Sequence, residues 1–330
     1  MSVSCPRERF ELIDSVEHPS IKYPVSIKYM KLSVEANLDD AKINCVEDLE
    51  LVCVYDLEEP KIELDCADLN ISKVTYYDFH NLFLSNLQLQ STQEVNELGF
   101  LSSNEKLIIQ LPDILKKGTS FSVKIKYSAT PRKGFHFVSS NDSIDNTVSK
   151  QAWTQGEMIE SKFWFPCIDD PKIKYPRQIL VTASKEFVVV SNGKPADVVD
   201  IDNNKRIHIW KEDHPNPTYL TSIVIGKFFE SQEPYQAEIN KNEIKLLYYV
   251  PEDKKDRVKR TFGSTLDAMK FFESYFSFPY PYSRYAQTTV KEFEYGGMEN
   301  TTCTTLEEEI LLDKKAATDD IYISTVGSSR

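Results

Sequence analysis

"FSVKIKY", residues Phe121 to Tyr127, decides the fold class. Phe121, Val123, Ile125 and Tyr127 alternate with Ser122, Lys124 and Lys126, giving one apolar and one polar face. That period of two marks a half-buried strand in an antiparallel sheet. Outward from it, "RIHIW" (206–210) and "YLTSIVIG" (219–226) carry the same β-branched and aromatic content. "ILVTASKEFVVVSNGKP" (179–195) reads as strand, turn, strand, with Asn192-Gly193 as a turn signal. Short strands punctuated by turns from about residue 25 to 230 predict a mainly β, saddle-like or sandwich domain.

The pattern changes beyond Phe229. "NEIKLLYYVPED" supplies one more strand, ending at Pro251. Between about Asp253 and Phe276, Val258, Phe262, Leu266, Met269, Phe272 and Phe276 recur at spacings of three and four. This predicts an amphipathic helix of about six turns, with Lys254, Lys255, Asp256, Lys259 and Arg260 on its solvated side. The prolines of "SFPYPYSRY" stop it. "AQTTVKEF" is a short strand, and "EEEILLDKKAATDDIYISTVGSSR" reads as a loop and then the first turns of a helix.

At 330 residues the chain is long enough for two domains. With 41% hydrophobic and 27% charged residues it has the composition of a globular protein. A net charge of −12 speaks against nucleic acid or an anionic membrane as partner, since both select a positive face. No apolar run reaches membrane-spanning length. The opening "MSVSCPRERFELIDS" lacks the apolar centre of a signal peptide. The six cysteines form no C-x-x-C pair. Free thiols and a cytoplasmic location are therefore expected.

The five histidines, His18, His80, His136, His208 and His214, include no pair four apart and none followed by Glu. A zinc helix of the H-E-x-x-H type is absent from this chain. So are the G-x-S-x-G elbow and the glycine-rich phosphate loop. Two carboxylate-bearing stretches remain. In Gly296-Gly297-Met298-Glu299-Asn300 the glycines let another backbone approach, and on an edge strand they could take up an extended peptide. Glu299 could then meet that peptide's α-ammonium group. The same residues also read as a tight turn with an exposed carboxylate. In "TQGEMIESKFWFPCIDDP" (154–171), Gln155 and Glu157 share a face if the segment is a strand. This stretch reads equally as a core strand with polar residues outward.

In this order, the two stretches resemble landmarks of the zinc aminopeptidase family of aminopeptidase N and leukotriene hydrolase. Gly296 to Asn300 matches the family's G-[AG]-M-E-N. Thr154-Gln155-Gly156-Glu157 and Phe165 to Pro171 are similar to its T-Q-x-[EQ] and F-P-C-x-D-E-P, with Asp170 where Glu is usual. Ser191-Asn192-Gly193, the segment 218–228 and "FPYPYSRY" (278–285) also look like family landmarks. The resemblance implies an N-terminal β saddle domain over residues 1–229. It also implies the start of a thermolysin-like α/β catalytic domain over residues 230–330.

By the same resemblance, Glu299 and Glu157 hold the free amino group of a peptide substrate. Gln155 lines the first side-chain pocket, and Gly296, Gly297, Met298 and Asn300 complete the substrate-binding strand. Zinc is the implied cofactor. Its ligands, the general base and a catalytic Tyr are expected beyond Arg330, so this chain alone should be inactive. A non-catalytic scaffold on the same fold is the alternative. An epoxide hydrolase reading has only the Gly-Gly variant in its favour.

Overall fold

The structure, a computed structural model, describes residues 23–77, 96–138, 150–202, 204–311 and 313–314. The opening stretch read for a signal peptide and the tail read as a helix start lie outside the described residues. The pair Val25–Asn37 and Lys42–Cys53 forms the centre of an eight-stranded sheet. Lys174–Ser184, Lys205–Pro217 and Lys194–Asp200 extend it on one side. Ser120–Ala129, Asn70–Tyr77 and Asn96–Glu97 extend it on the other. The expected antiparallel pairing holds except between Val25–Asn37 and Lys174–Ser184, which run parallel.

The alternation in Phe121–Tyr127 sets which face of this sheet is covered. Phe121, Val123, Ile125 and Tyr127 are buried, whereas Lys126 is exposed. Their partners include Ile62 and Leu64 of Lys61–Asp65, and Leu107 and Ile109 of Lys106–Gln110. Those two strands and Phe100–Ser103 make a three-stranded sheet. Trp164 and Phe165 fill the same core and are fully buried. Each such side chain contributes about 1.5–3 kcal/mol through the apolar surface it withdraws from water.

A four-stranded sheet follows, ordered Val188–Ser191, Ile223–Gly226, Gln151–Thr154, Phe135–Val138. Asn192-Gly193 is therefore not a hairpin turn. It is a corner at which the chain leaves this sheet for the strand Lys194–Asp200 of the larger one. Gly193 sits at φ +74°, and a Cβ there would lie 2.1 Å from the Lys211 carbonyl oxygen. Only glycine fits that corner.

From Phe229 onward the strands belong to a separate five-stranded sheet. Its order is Phe229–Gln236, Glu243–Val250, Arg284–Val290, Cys303–Glu307, Gly297–Met298. Glu243–Val250 and Arg284–Val290 pair in parallel, so a crossover must join them. The helical stretch provides it, but in three pieces. A 3-10 turn at Glu252–Arg257 leads into α1 (Val258–Phe262), and α2 (Thr265–Phe276) follows a break at Gly263-Ser264. Ser277, in the left-handed conformation at φ 52°, ends α2 ahead of Pro279.

Phe262 stacks on Tyr248 with ring centroids 5.0 Å apart, seating α1 on the sheet. Glu273 anchors α2 by accepting from the Tyr235 hydroxyl and from the N–H groups of Glu238 and Ile239. The apolar seam is buried at Val258 and Phe262, yet Phe272 and Phe276 are 42% and 65% exposed. Both face an open cavity instead of the core.

Candidate functional site

Gly296 and Gly297 follow a tight turn in which Gly296 N–H donates to the Phe293 carbonyl at 3.1 Å. Gly296 sits at φ +72°, and a Cβ there would meet nothing within 4 Å. The left-handed backbone favours glycine at this position, and the space beside it is open. The strand Gly297–Met298 pairs antiparallel with Leu306 and Thr305 and closes the sheet at its edge. An edge strand presents backbone N–H and C=O groups that an extended chain can pair with.

Period-two alternation then sorts the motif. Met298 is buried with Trp153, Phe293 and Cys303, Glu299 is exposed, and Asn300 is buried. Asn300 Nδ2 donates to Thr305 Oγ1 at 3.3 Å, and its carbonyl accepts from Cys303 N–H at 2.9 Å. Glu299 lines a cavity of about 1140 Å³ together with Met269, Phe272, Phe276, Tyr280 and Tyr285. The other lining carboxylate, Glu273, already accepts three hydrogen bonds. Among the described residues nothing pairs with Glu299, so its charge is available to a visitor.

The loop after Glu299 is clamped from the β saddle. Asn192 Nδ2 donates to Thr301 O at 2.9 Å and to Leu220 O at 2.8 Å, while its Oδ1 accepts from Ser222 N–H at 2.7 Å. Gly193 N–H donates to Thr302 Oγ1 at 2.7 Å. Arg284, buried over the Trp210 ring, donates to the carbonyls of Ser191 and Gly193. A second tie runs through Trp153, whose Nε1–H donates to Lys291 O at 3.1 Å. Lys291 N–H donates in turn to Gln151 Oε1 at 3.0 Å. Sequence reasoning missed Asn192, Arg284 and Trp153 as structural ties. Only the Asn-Gly signal pointed to one of them.

Gln155 and Glu157 leave the end of Gln151–Thr154 but do not continue as a strand, so they do not share a face. Gln155 N–H donates to Gly134 O at 2.9 Å, and its side chain is buried with Oε1 unpartnered among the described residues. Gly156 packs where a Cβ would be 2.5 Å from Tyr219 O. Glu157 is exposed, with no ion pair among the described residues.

Neither Gln155 nor Glu157 lines the cavity that holds Glu299. The two turns nevertheless approach each other. The Tyr295 phenol, beside Glu299's strand, is pushed up by burial and then by the charges of Glu160 and Glu294. Among the described residues no three His, Cys, Asp or Glu side chains stand together as a metal site. The described residues therefore do not by themselves make a catalytic zinc centre.

Comparison with known proteins adds the lineage. Residues 25–220 match the Peptidase M1 N-terminal domain, and residues 260–326 match the Peptidase family M1 domain. Endoplasmic reticulum aminopeptidase 1 of Homo sapiens is 26% identical over 225 residues, covering 67% of this chain and 23% of that protein. Aminopeptidase M1 of Arabidopsis thaliana is 27% identical over 229 residues, covering 68% and 25%. Aminopeptidase 2 of Candida albicans is 25% identical over 226 residues, covering 67% and 24%. The chain spans about a quarter of the length of the curated relatives it matches.

Proposed function

The chain belongs to peptidase family M1, and from that membership we propose that it is the substrate-anchoring portion of a zinc aminopeptidase. The observation that carries this reading is Glu299: an unpaired carboxylate in a cavity, one residue beyond an edge strand able to bind a peptide backbone. A peptide lying along Gly297–Met298 would present its α-ammonium to Glu299, with Glu157 as a second carboxylate. An internal peptide bond has no charge to place there, so cleavage is confined to the first residue. Gln155 would bound the first side-chain pocket, and Gly296 and Asn300 would shape the strand on either side of Met298.

Zinc, held by ligands beyond Arg330, would supply a Lewis acid and an activated water. The residues described here would bind and orient the substrate. The switch between sheets at about residue 229 supports a division into saddle (1–229) and catalytic (230–330) parts. Free Cys45, Cys53, Cys66, Cys167 and Cys303 support a cytoplasmic location, which cell fractionation would test.

The full-length gene product should release N-terminal residues from peptides, and Glu299→Ala should lower kcat/KM by about 100-fold, the loss of one charge-assisted contact of about 3 kcal/mol. Equal cleavage of N-acetylated peptides would remove the amine anchor. A full-length protein that neither binds zinc nor hydrolyses peptides would favour a non-catalytic scaffold on the same fold. The chain of 330 residues alone should show no hydrolysis, because a catalytic zinc needs its protein ligands.

A further inference from the structure

The 3-10 turn Ser161–Phe163 closes the loop that carries Glu157, and it starts without a side-chain cap from Glu160. The first N–H groups of a helical turn have no partner inside it. Here one of them turns to Asp169. Lys162 N–H donates to Asp169 Oδ2 at 3.4 Å. Asp169 is itself fixed, since its N–H donates to Asp65 Oδ2 at 2.9 Å. Asp65 in turn accepts from Lys106 Nζ at 2.6 Å.

The other bonds of the loop lead back to the same turn. Glu160 N–H donates to Gly156 O at 3.0 Å, and Ala67 N–H donates to Lys162 O at 2.9 Å. Gly156 lies so close to Ser161 that a Cβ would come 2.8 Å from Ser161 Oγ. Glu157 is thus the exposed crest of a loop held at Gln155 by Gly134 O and at Lys162 by Asp169.

We propose that Asp169 is a positioning residue for Glu157, its carboxylate holding the Lys162 N–H group so that Glu157 keeps one orientation in the site. This rests on the reading of Glu157 as an amine contact. Burial pushes the Asp169 carboxyl up to about 6, opposed by the Lys162 N–H bond, raised further by Asp65, and opposed again by the Lys162 charge. The remaining charged or titratable neighbours are Glu105, paired to Lys162 Nζ; Lys106, paired to Asp65; Asp170; and the Tyr23 and Cys167 groups. A charged acceptor binds an N–H group about twice as strongly as a neutral one. The hold on the turn is therefore present above about pH 6 and weakens below it.

Hydrogen–deuterium exchange across residues 156–163 of the 330-residue chain, corrected for intrinsic rates, tests this directly. A carboxyl titrating at about 6 loses its charged fraction about tenfold between about pH 7 and pH 5. Protection of Lys162 should fall several-fold over that range in the wild type, and should be low at both pH values in Asp169→Asn. Exchange at Val123 and Ile125 reports whether the variant is folded; should it unfold, the wild-type pH series decides alone. Protection that is independent of pH, or retained in a folded Asp169→Asn, overturns the proposal.

Binding of tetra-alanine and of its N-acetyl form is measured in parallel. Preference for the free amine should fall with the protection. If protection changes as expected while the free amine is never preferred, the pinning of the turn stands and the amine-contact reading of Glu157 fails.

Discussion

Asn192→Ala removes the side chain that joins three otherwise separate backbone segments. Its amide serves Leu220 O, Thr301 O and Ser222 N–H, all at 2.7 to 2.9 Å, and the residue is 1% exposed. Alanine keeps none of these bonds. Each is worth about 1 kcal/mol net, and an unsatisfied buried group costs about 1–3 kcal/mol where water does not reach it. We expect a loss of about 3 kcal/mol, read as a fall in the urea midpoint at unchanged m-value.

Asn192→Asp sharpens the test. It preserves shape but aims a carboxylate at two carbonyl oxygens. It should be at least as destabilising at neutral pH and recover part of the loss towards about pH 4, where the acid regains one donor. A loss under about 1 kcal/mol in Asn192→Ala, or an Asp variant as stable as wild type at neutral pH, would refute the clamp. Because Thr301 lies two residues beyond Glu299, the same variant in the full-length protein should raise KM more than it lowers kcat.

Glu47 is fully buried in the saddle core, with both carboxylate oxygens unpartnered among the described residues. Burial, with the charge of Asp48 adding to it, raises its carboxyl well above the usual range. The folded state keeps the proton that the unfolded chain releases above about pH 4.5, so stability from this group is full below that pH and declines as pH rises. The decline for one such group cannot exceed about 1.4 kcal/mol per pH unit. Urea titrations between about pH 4.5 and 7 should show this slope in the wild type and its absence in Glu47→Gln; identical slopes would exclude Glu47 as the source. Gly193→Ala should cost more than about 2 kcal/mol, since it combines a left-handed backbone with a Cβ 2.1 Å from Lys211 O. Gly296→Ala, left-handed but in open space, should cost only about 1 kcal/mol in thermal unfolding.

Local patterns in the sequence determined the strand character of Phe121–Tyr127, the extent of the helical stretch to Phe276, the turn at Asn192-Gly193 and the presence of the Gly-Gly-Met-Glu-Asn motif. Each depends on neighbours within a few positions, where side-chain period and backbone sterics act directly. Sheet order and the exposure of Phe272 and Phe276 were decided elsewhere in the chain. Gly297–Met298 is an edge because Cys303–Glu307 pairs with Arg284–Val290 on its other side. Gln155 is buried and Glu157 exposed on either side of Gly156, which packs against Tyr219, 63 positions away in the chain. Asn192 reads as a turn residue until folding brings Leu220, Ser222 and Thr301 around its amide. Periodicity carries no information about such partners. They meet only when separate sheets pack, and that packing fixes the loop that follows Glu299.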